Sequence, residues 1–83
     1  MNYRLTQHAR DAVAKRGIDA HWLDRVLDSP ERVEADRTDP ELEHWLGRIA
    51  ECENRVLRVV VKPGVLPLLV ITVYFDRNMR GEL

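Results

Sequence analysis

Apolar side chains recur at intervals of three and four residues near the start of the chain, a spacing that predicts an amphipathic helix over residues 7–16. These apolar positions are Leu5, Ala9, Ala12 and Val13. Thr6 is suited to the N-cap of this helix, and Gly17 to the left-handed position that follows a helix C-terminus. We therefore predict a helix that begins after Thr6 and ends before Gly17.

A second helix is predicted to follow directly. Asp19 is its N-cap, and Ile18 can pack against Leu23 as a hydrophobic staple. Its buried stripe consists of Trp22, Leu23, Val26 and Leu27. Ser29-Pro30 ends the helix, because a residue before proline is disfavoured in the helical region.

The remainder of the chain has the alternation and β-branched content of strands. Four strands are predicted, over residues 31–37, 43–51, 56–62 and 66–76, with turns at Thr38-Asp39-Pro40, Glu53-Asn54 and Lys62-Pro63-Gly64. This order predicts a single α+β domain over residues 1–83. Its two N-terminal helices pack on one face of a roughly four-stranded, mainly antiparallel sheet.

Alternation also predicts which face of the sheet each side chain occupies. The helix-facing set is Trp45, Ile49, Leu57, Val59, Val61, Leu69, Ile71, Val73 and Phe75. The outer set is Leu46, Arg48, Val56, Arg58, Val60, Lys62, Leu68, Val70, Thr72 and Tyr74. The assignment depends on one register, since a slip of one residue would exchange the two faces.

The amino-acid composition excludes several classes of protein. A chain of 83 residues with 45% hydrophobic and 33% charged residues is typical of one folded domain. No apolar run approaches the roughly 20 residues of a membrane helix, and the start lacks the apolar stretch of a signal peptide, so a cytoplasmic protein is expected. Cys52 is the only cysteine, which excludes an internal disulfide and a cysteine-rich zinc site.

The net charge of −1 conceals a segregation of basic residues. Residues 54–80 carry five cations and one acid, Asp76. The cations are Arg55, Arg58, Lys62, Arg77 and Arg80. Only two of the 13 basic residues are lysines. Arginine suits bidentate contacts to phosphate or carboxylate, although codon bias alone would explain its abundance.

The outer face has side chains that could cleave RNA by attack of the 2′-hydroxyl. Arg48, Arg58 and Lys62 could bind the phosphate, and Tyr74 could donate a proton or stack on a base. His8 is expected in the first turn of its helix, where the helix dipole favours a neutral imidazole, and could assist. The simpler interpretation makes these cations a solvated surface and His8 a structural residue. The three histidines lack metal-ligand spacing, so no metal and no cofactor are predicted.

Several segments resemble a known family, the domain of unknown function 4258. They are His8-Ala9, Arg16-Gly17-Ile18, Ser29-Pro30-Glu31 and the hydrophobic strands Arg55-Val56-Leu57-Arg58-Val59-Val60-Val61 and Val70-Ile71-Thr72-Val73-Tyr74. The resemblance covers nearly the whole chain. One position departs from it, because Ala12 stands where the family usually has an arginine four residues after the histidine.

That family is similar in its order of elements to the RelE-like and BrnT-like toxins of bacterial toxin–antitoxin systems. The resemblance implies a small endoribonuclease that acts on RNA, alone or on the ribosome, and is neutralised by an antitoxin protein. The alternative is a non-catalytic module whose outer face binds an acidic amphipathic helix or a second copy in a homodimer. A third interpretation, suggested by Ala12, is a toxin that has lost its activity.

Overall fold

A computed structural model describes residues 1–83 and has two helices packed against a five-stranded mixed sheet. The elements are β1 (Tyr3–Leu5), α1 (Gln7–Arg16), α2 (Ala20–Asp28), β2 (Arg32–Ala35), β3 (Glu43–Ile49), β4 (Arg55–Lys62) and β5 (Leu68–Phe75). Two 3-10 turns follow β3 and β5, at Ala50–Cys52 and Arg77–Met79. No helix has the length and apolar character needed to cross a membrane.

Helix α1 begins and ends at the predicted residues. The Thr6 hydroxyl accepts the Ala9 N–H at 3.0 Å, as expected of an N-cap. Gly17 has a φ of 63°, and the N–H of Ile18 donates to the carbonyl of Val13 at 3.0 Å. This is the Schellman arrangement, in which glycine adopts the left-handed backbone without a steric penalty. Both ends of α1 are therefore confirmed.

Helix α2 begins at Ala20 with Asp19 as its N-cap, as predicted. The Asp19 carboxylate accepts the His21 N–H at 2.8 Å, and the helix ends before Ser29-Pro30. Helix α2 lies close to β3 at Gly47, because a Cβ there would lie 3.0 Å from Cγ2 of Val26 and Val26 would have to shift to admit it. The local signals thus define the helix, and Gly47 allows it to pack closely.

The strands form a sheet in the order β1-β5-β4-β3-β2. The four predicted strands are present as β2 to β5, and each pairs antiparallel with its neighbour. The sequence did not predict β1, which pairs parallel to β5 through residues 3–5 and 68–70. The sheet is therefore five-stranded and mixed. Three residues are too few to show an alternating pattern, and Leu5 was assigned to the helical stripe instead.

The hydrophobic core lies between the helices and the sheet. Its buried members are Ala9, Ile18, Leu23, Val26, Leu27, Ile49, Leu57, Val59, Val61, Leu68, Val70 and Val73. Trp45 and Phe75 pack against this cluster from its border. The predicted inner faces of β3 and β4 are therefore confirmed.

The predicted faces of β5 are wrong for its first half. Val60 pairs with Thr72, whereas the next residue of β4, Val61, pairs with Val70, so Ile71 is an extra residue in β5. Such a β-bulge shifts the alternation by one residue. Leu68 and Val70 consequently lie in the core instead of on the outer face. Leu69, predicted to face the helices, pairs with Lys62.

The outer aliphatic residues of β3 and β4 are also less exposed than a bare sheet face would leave them. Leu46 and Val56 have no exposed surface, and Val60 has 6%. The residue after β5 continues the pairing with β4, since the N–H of Asp76 donates to the carbonyl of Val56 at 2.8 Å. The turn that follows also contacts β4. The outer face therefore lacks the broad apolar patch that the interaction-module alternative assumed.

A hydrogen bond joins β1 to α2, and its loss at alkaline pH can be measured. The Tyr3 hydroxyl donates to Asp24 at 2.6 Å. Burial and this carboxylate raise the pKa of Tyr3 from 10.0 to about 12. Because the folded protein holds the proton more tightly than the unfolded chain, the stabilisation is complete below pH 10 and is lost as the pH rises towards 12. Urea unfolding should show a steeper alkaline loss of stability for the wild type than for Tyr3→Phe. Equal slopes would contradict this prediction.

Candidate functional site

A polar cleft of about 340 Å³ opens on the outer side of the sheet. It is bounded by β2, the loop that follows β2, and facing residues of β3, β4 and the end of β5. The lining residues are Glu34, Ala35, Asp36, Arg37, Thr38, His44, Arg58, Tyr74 and Asp76. The cleft thus combines three carboxylates, two guanidinium groups, an imidazole and a phenol in one small volume.

Arg58 is the most buried charged residue of the cleft, and its side chain is only 11% exposed. Its Nε donates to Asp76 at 2.8 Å, and its Nη1 donates to Glu34 at 3.0 Å and to Nδ1 of His44 at 2.8 Å. Burial opposes the charged form, but the hydrogen bonds to Glu34 and Asp76 outweigh it and raise the pKa of Arg58. Arg58 is therefore a fixed cation, held in one orientation by two carboxylates.

The contacts of His44 determine its tautomer. A guanidinium group can only donate hydrogen bonds, so Nδ1 of His44 must accept from Arg58. The ring proton then lies on Nε2, which donates to Asp36 at 2.6 Å. Both ring nitrogens are occupied, so His44 has no free nitrogen for a substrate. Its role is to connect Asp36 to Arg58 and to fix the position of both.

Asp36 organises the loop that forms one wall of the cleft. Its carboxylate accepts the backbone N–H of Asp39 at 2.9 Å and of Thr38 at 3.2 Å, in addition to the bond from His44. The Asp39 N–H, followed by His44 and Thr38, holds the pKa of Asp36 well below its usual range. Asp36 consequently remains an anion with its acceptor positions occupied.

Arg37 is exposed and makes no side-chain hydrogen bond or ion pair, and three further polar groups of the cleft retain capacity for a ligand. The Nη2 of Arg58 and the hydroxyl of Tyr74 have no protein partner, and Glu34 has a second oxygen whose nearest cation is Arg32 at 3.5 Å. No buried polar side-chain atom lacks a partner, so the unpaired atoms are accessible to solvent. Arg58 and Tyr74 are direct cross-strand neighbours. The cleft therefore presents a cation, a hydroxyl and a carboxylate side by side.

Two of the predicted site residues, Arg58 and Tyr74, meet in this cleft, while two others on the same sheet face lie outside it. Arg48 forms an exposed ion pair with Glu31, with Nε and Oε2 2.9 Å apart. Lys62 is four residues beyond Arg58 on β4, which corresponds to roughly 13 Å along a strand. Its Nζ lies 3.8 Å from Glu41. These two cations do not contribute to the cleft.

His8 also lies apart from the cleft. It is exposed on α1 and borders a shallow depression with Asp11, Ala12, Lys15 and Arg16. None of these residues lines the cleft. The accessory role predicted for His8 therefore has no geometric support in the arrangement of Arg58 and Tyr74.

Sequence reasoning missed Glu34, Asp36, His44 and Asp76 as site residues. A signal for His44 was present, because its alternation placed it on the same face as Arg58. The carboxylates gave no comparable signal, since Glu34 and Asp76 are 24 and 18 residues from Arg58 in sequence. The cleft's carboxylates and His44 do not form a metal-binding group.

Comparison with known proteins gives one match. A family model described as domain of unknown function (DUF4258) matches residues 5–75. This span contains both helices, strands β2 to β5 and every lining residue of the cleft except Asp76. No curated protein and no solved structure matches the chain.

Proposed function

The chain belongs to the DUF4258 family, and from the geometry of its cleft we propose that it is a metal-independent endoribonuclease. The observation that carries this proposal is the convergence of an unpaired Arg58 Nη2, the Tyr74 hydroxyl and the Glu34 carboxylate in one cleft. These are the three kinds of group that attack by an RNA 2′-hydroxyl requires: a cation for the phosphate, an acid and a base.

Each group has a defined part in the proposed reaction. The 2′-hydroxyl oxygen attacks the adjacent phosphorus and gives its proton to the Glu34 carboxylate. The bond between phosphorus and the 5′-oxygen breaks, and Tyr74 donates its proton to that oxygen. Arg58 Nη2 binds a non-bridging oxygen as negative charge develops there. The products are a 2′,3′-cyclic phosphate and a 5′-hydroxyl, and a proton passing from Glu34 to Tyr74 through solvent restores the enzyme.

The hydrogen bonds of the cleft support this assignment because they hold the cation in place before substrate binds. Arg58 is fixed by Asp76, Glu34 and His44, and His44 is fixed in turn by Asp36. A donor that is already oriented needs little reorganisation when charge develops on the phosphate. His44 is a positioning residue in this scheme and does not exchange a proton with RNA.

Similarity to RelE-like and BrnT-like toxins is part of the same proposal. It is supported by the chain's order of elements, in which two helices precede four antiparallel strands. In that setting a partner antitoxin would neutralise the protein by covering the cleft. Expression of the chain without a partner is then expected to arrest growth.

The structure lacks the exposed apolar surface on which the interaction-module alternative depends. It assumed that aliphatic side chains were exposed among the outer cations, but Leu46 and Val56 have no exposed surface. Leu68 and Val70 lie in the helix-side core. We therefore favour the nuclease.

Purified protein incubated with single-stranded RNA should produce fragments ending in 2′,3′-cyclic phosphate and 5′-hydroxyl, at a rate that a metal chelator does not change. End-specific labelling and mass spectrometry identify these termini. RNA that stays intact both free and on ribosomes, together with normal growth on induced expression, would exclude the proposed activity. Cleavage that a chelator abolishes would contradict the mechanism through Glu34 and Tyr74.

A further inference from the structure

A second surface, which we term the arginine groove, adjoins the cleft. It consists of Arg16, Arg55, Arg77, Arg80, Tyr74 and Phe75, which line two depressions of about 290 and 250 Å³. Arg55, Phe75 and Arg77 border both depressions. Tyr74 lines the cleft as well as the first depression. The two depressions thus share three residues, and the groove meets the cleft at Tyr74 and Asp76.

The four arginines of the groove form no ion pairs within the protein. Arg55 lies over the ring of Phe75 at 4.2 Å, and Arg80 makes only a long bond of 3.5 Å to the carbonyl of Glu53. The one acid that lines the groove, Asp76, is already bound by Arg58. Most of the guanidinium N–H groups are therefore free to bind an external anion.

We propose that the arginine groove binds the phosphate backbone of single-stranded RNA and guides it to the cleft. This inference rests on the proposed function and specifies its substrate. Arginine presents a planar fork of donors that matches phosphate oxygens. Tyr74, between groove and cleft, offers a ring on which an unpaired base stacks. Alternation of cations with aromatic rings is typical of surfaces that bind single strands.

RNA fits the groove better than an acidic partner helix does. An amphipathic helix needs an apolar surface beside the cations, but the main apolar group here, Phe75, lies under Arg55 and packs against Trp22. A single strand needs phosphate contacts and an accessible ring, which the unpaired arginines and the partly exposed Tyr74 provide.

Binding can be measured separately from cleavage with a short, fluorescein-labelled, 2′-O-methylated oligoribonucleotide, which lacks the attacking hydroxyl. Fluorescence anisotropy should show that Arg16→Gln/Arg77→Gln weakens binding by about 25-fold at about 0.1 M salt, because each phosphate contact contributes about 0.7 to the salt slope of a single strand. The slope itself should fall by about 1.4. Arg4→Gln/Arg10→Gln removes the same charge outside the groove and should change binding by less than about twofold.

Equal binding by the groove variant and the control variant would overturn the inference. So would equally tight, equally arginine-dependent binding of a poly-glutamate peptide, which would identify a surface for acidic proteins. Preference for duplex RNA over the single strand would also contradict it. The assay is independent of the proposed activity. Arginine-dependent binding without cleavage of unmodified RNA would reject only the nuclease, whereas cleavage without groove dependence would reject only the groove.

Discussion

Replacement of Tyr74 with phenylalanine is expected to lower the rate of RNA cleavage by about 10²–10⁴-fold, the usual contribution of a general acid. The substitution removes only the hydroxyl, which has no partner in the protein, so the fold should be unchanged. It also retains the ring on which a base stacks. Single-turnover cleavage under saturating enzyme measures the chemical step, while binding of the 2′-O-methylated strand should stay within about twofold of wild type.

Tyr3→Phe is the matched control for this experiment. It removes the other tyrosine hydroxyl of the chain, which donates to Asp24 of α2 and is not part of the cleft. Its cleavage rate should equal that of the wild type. A Tyr74→Phe protein that cleaves within about threefold of wild type would show that Tyr74 is not the acid.

Arg58→Met is expected to lower the free energy of unfolding by about 3 kcal/mol. The substitution keeps an unbranched apolar stem but leaves Asp76 and Glu34 without their shared cation, and Asp76 is only 14% exposed. It also removes the donor to His44 Nδ1. The cost of an unpaired carboxylate that water reaches poorly exceeds the value of the lost hydrogen bonds. Urea unfolding monitored by circular dichroism gives the difference.

Two further variants test the reason for this loss. Arg48→Met breaks the exposed pair with Glu31 and should cost less than about 1 kcal/mol. Adding Asp76→Asn and Glu34→Gln to Arg58→Met removes the uncompensated charges and should recover part of the stability. If Arg58→Met cost no more than Arg48→Met, the cleft would be too well solvated for Arg58 to hold its position as described.

The ends of both helices could be predicted because each depends on neighbouring residues. The caps at Thr6, Gly17 and Asp19 depend on hydrogen bonds between groups no more than five residues apart, so the sequence alone indicates them. The short strand β1 could not be predicted in the same way, because its hydrogen bonds are to residues 68–70. Interactions between neighbouring residues therefore predict the helix ends, whereas no interaction between neighbouring residues indicates β1.

The faces of β5 were predictable only in part for a similar reason. Residues 68–75 read Leu-Leu-Val-Ile-Thr-Val-Tyr-Phe, and a segment that is apolar at almost every position does not show which side chains face the core. The bulge opposite Val60 and Val61 therefore cannot be recognised from the order of apolar and polar residues in β5. Tyr74 lies on the C-terminal side of the bulge in β5, where the assumed alternation holds, and its proximity to Arg58 of β4 was predicted.

The parallel pairing of β1 with β5 determines the order in which the sheet can assemble. Tyr3 and Leu68 are partners in this pairing, and α1 packs on the same strand β5. Closure of so long a loop is entropically costly until its contacts have formed. During synthesis, β1 and α1 therefore cannot complete their packing until β5 has left the ribosome, and until then their apolar side chains stay exposed.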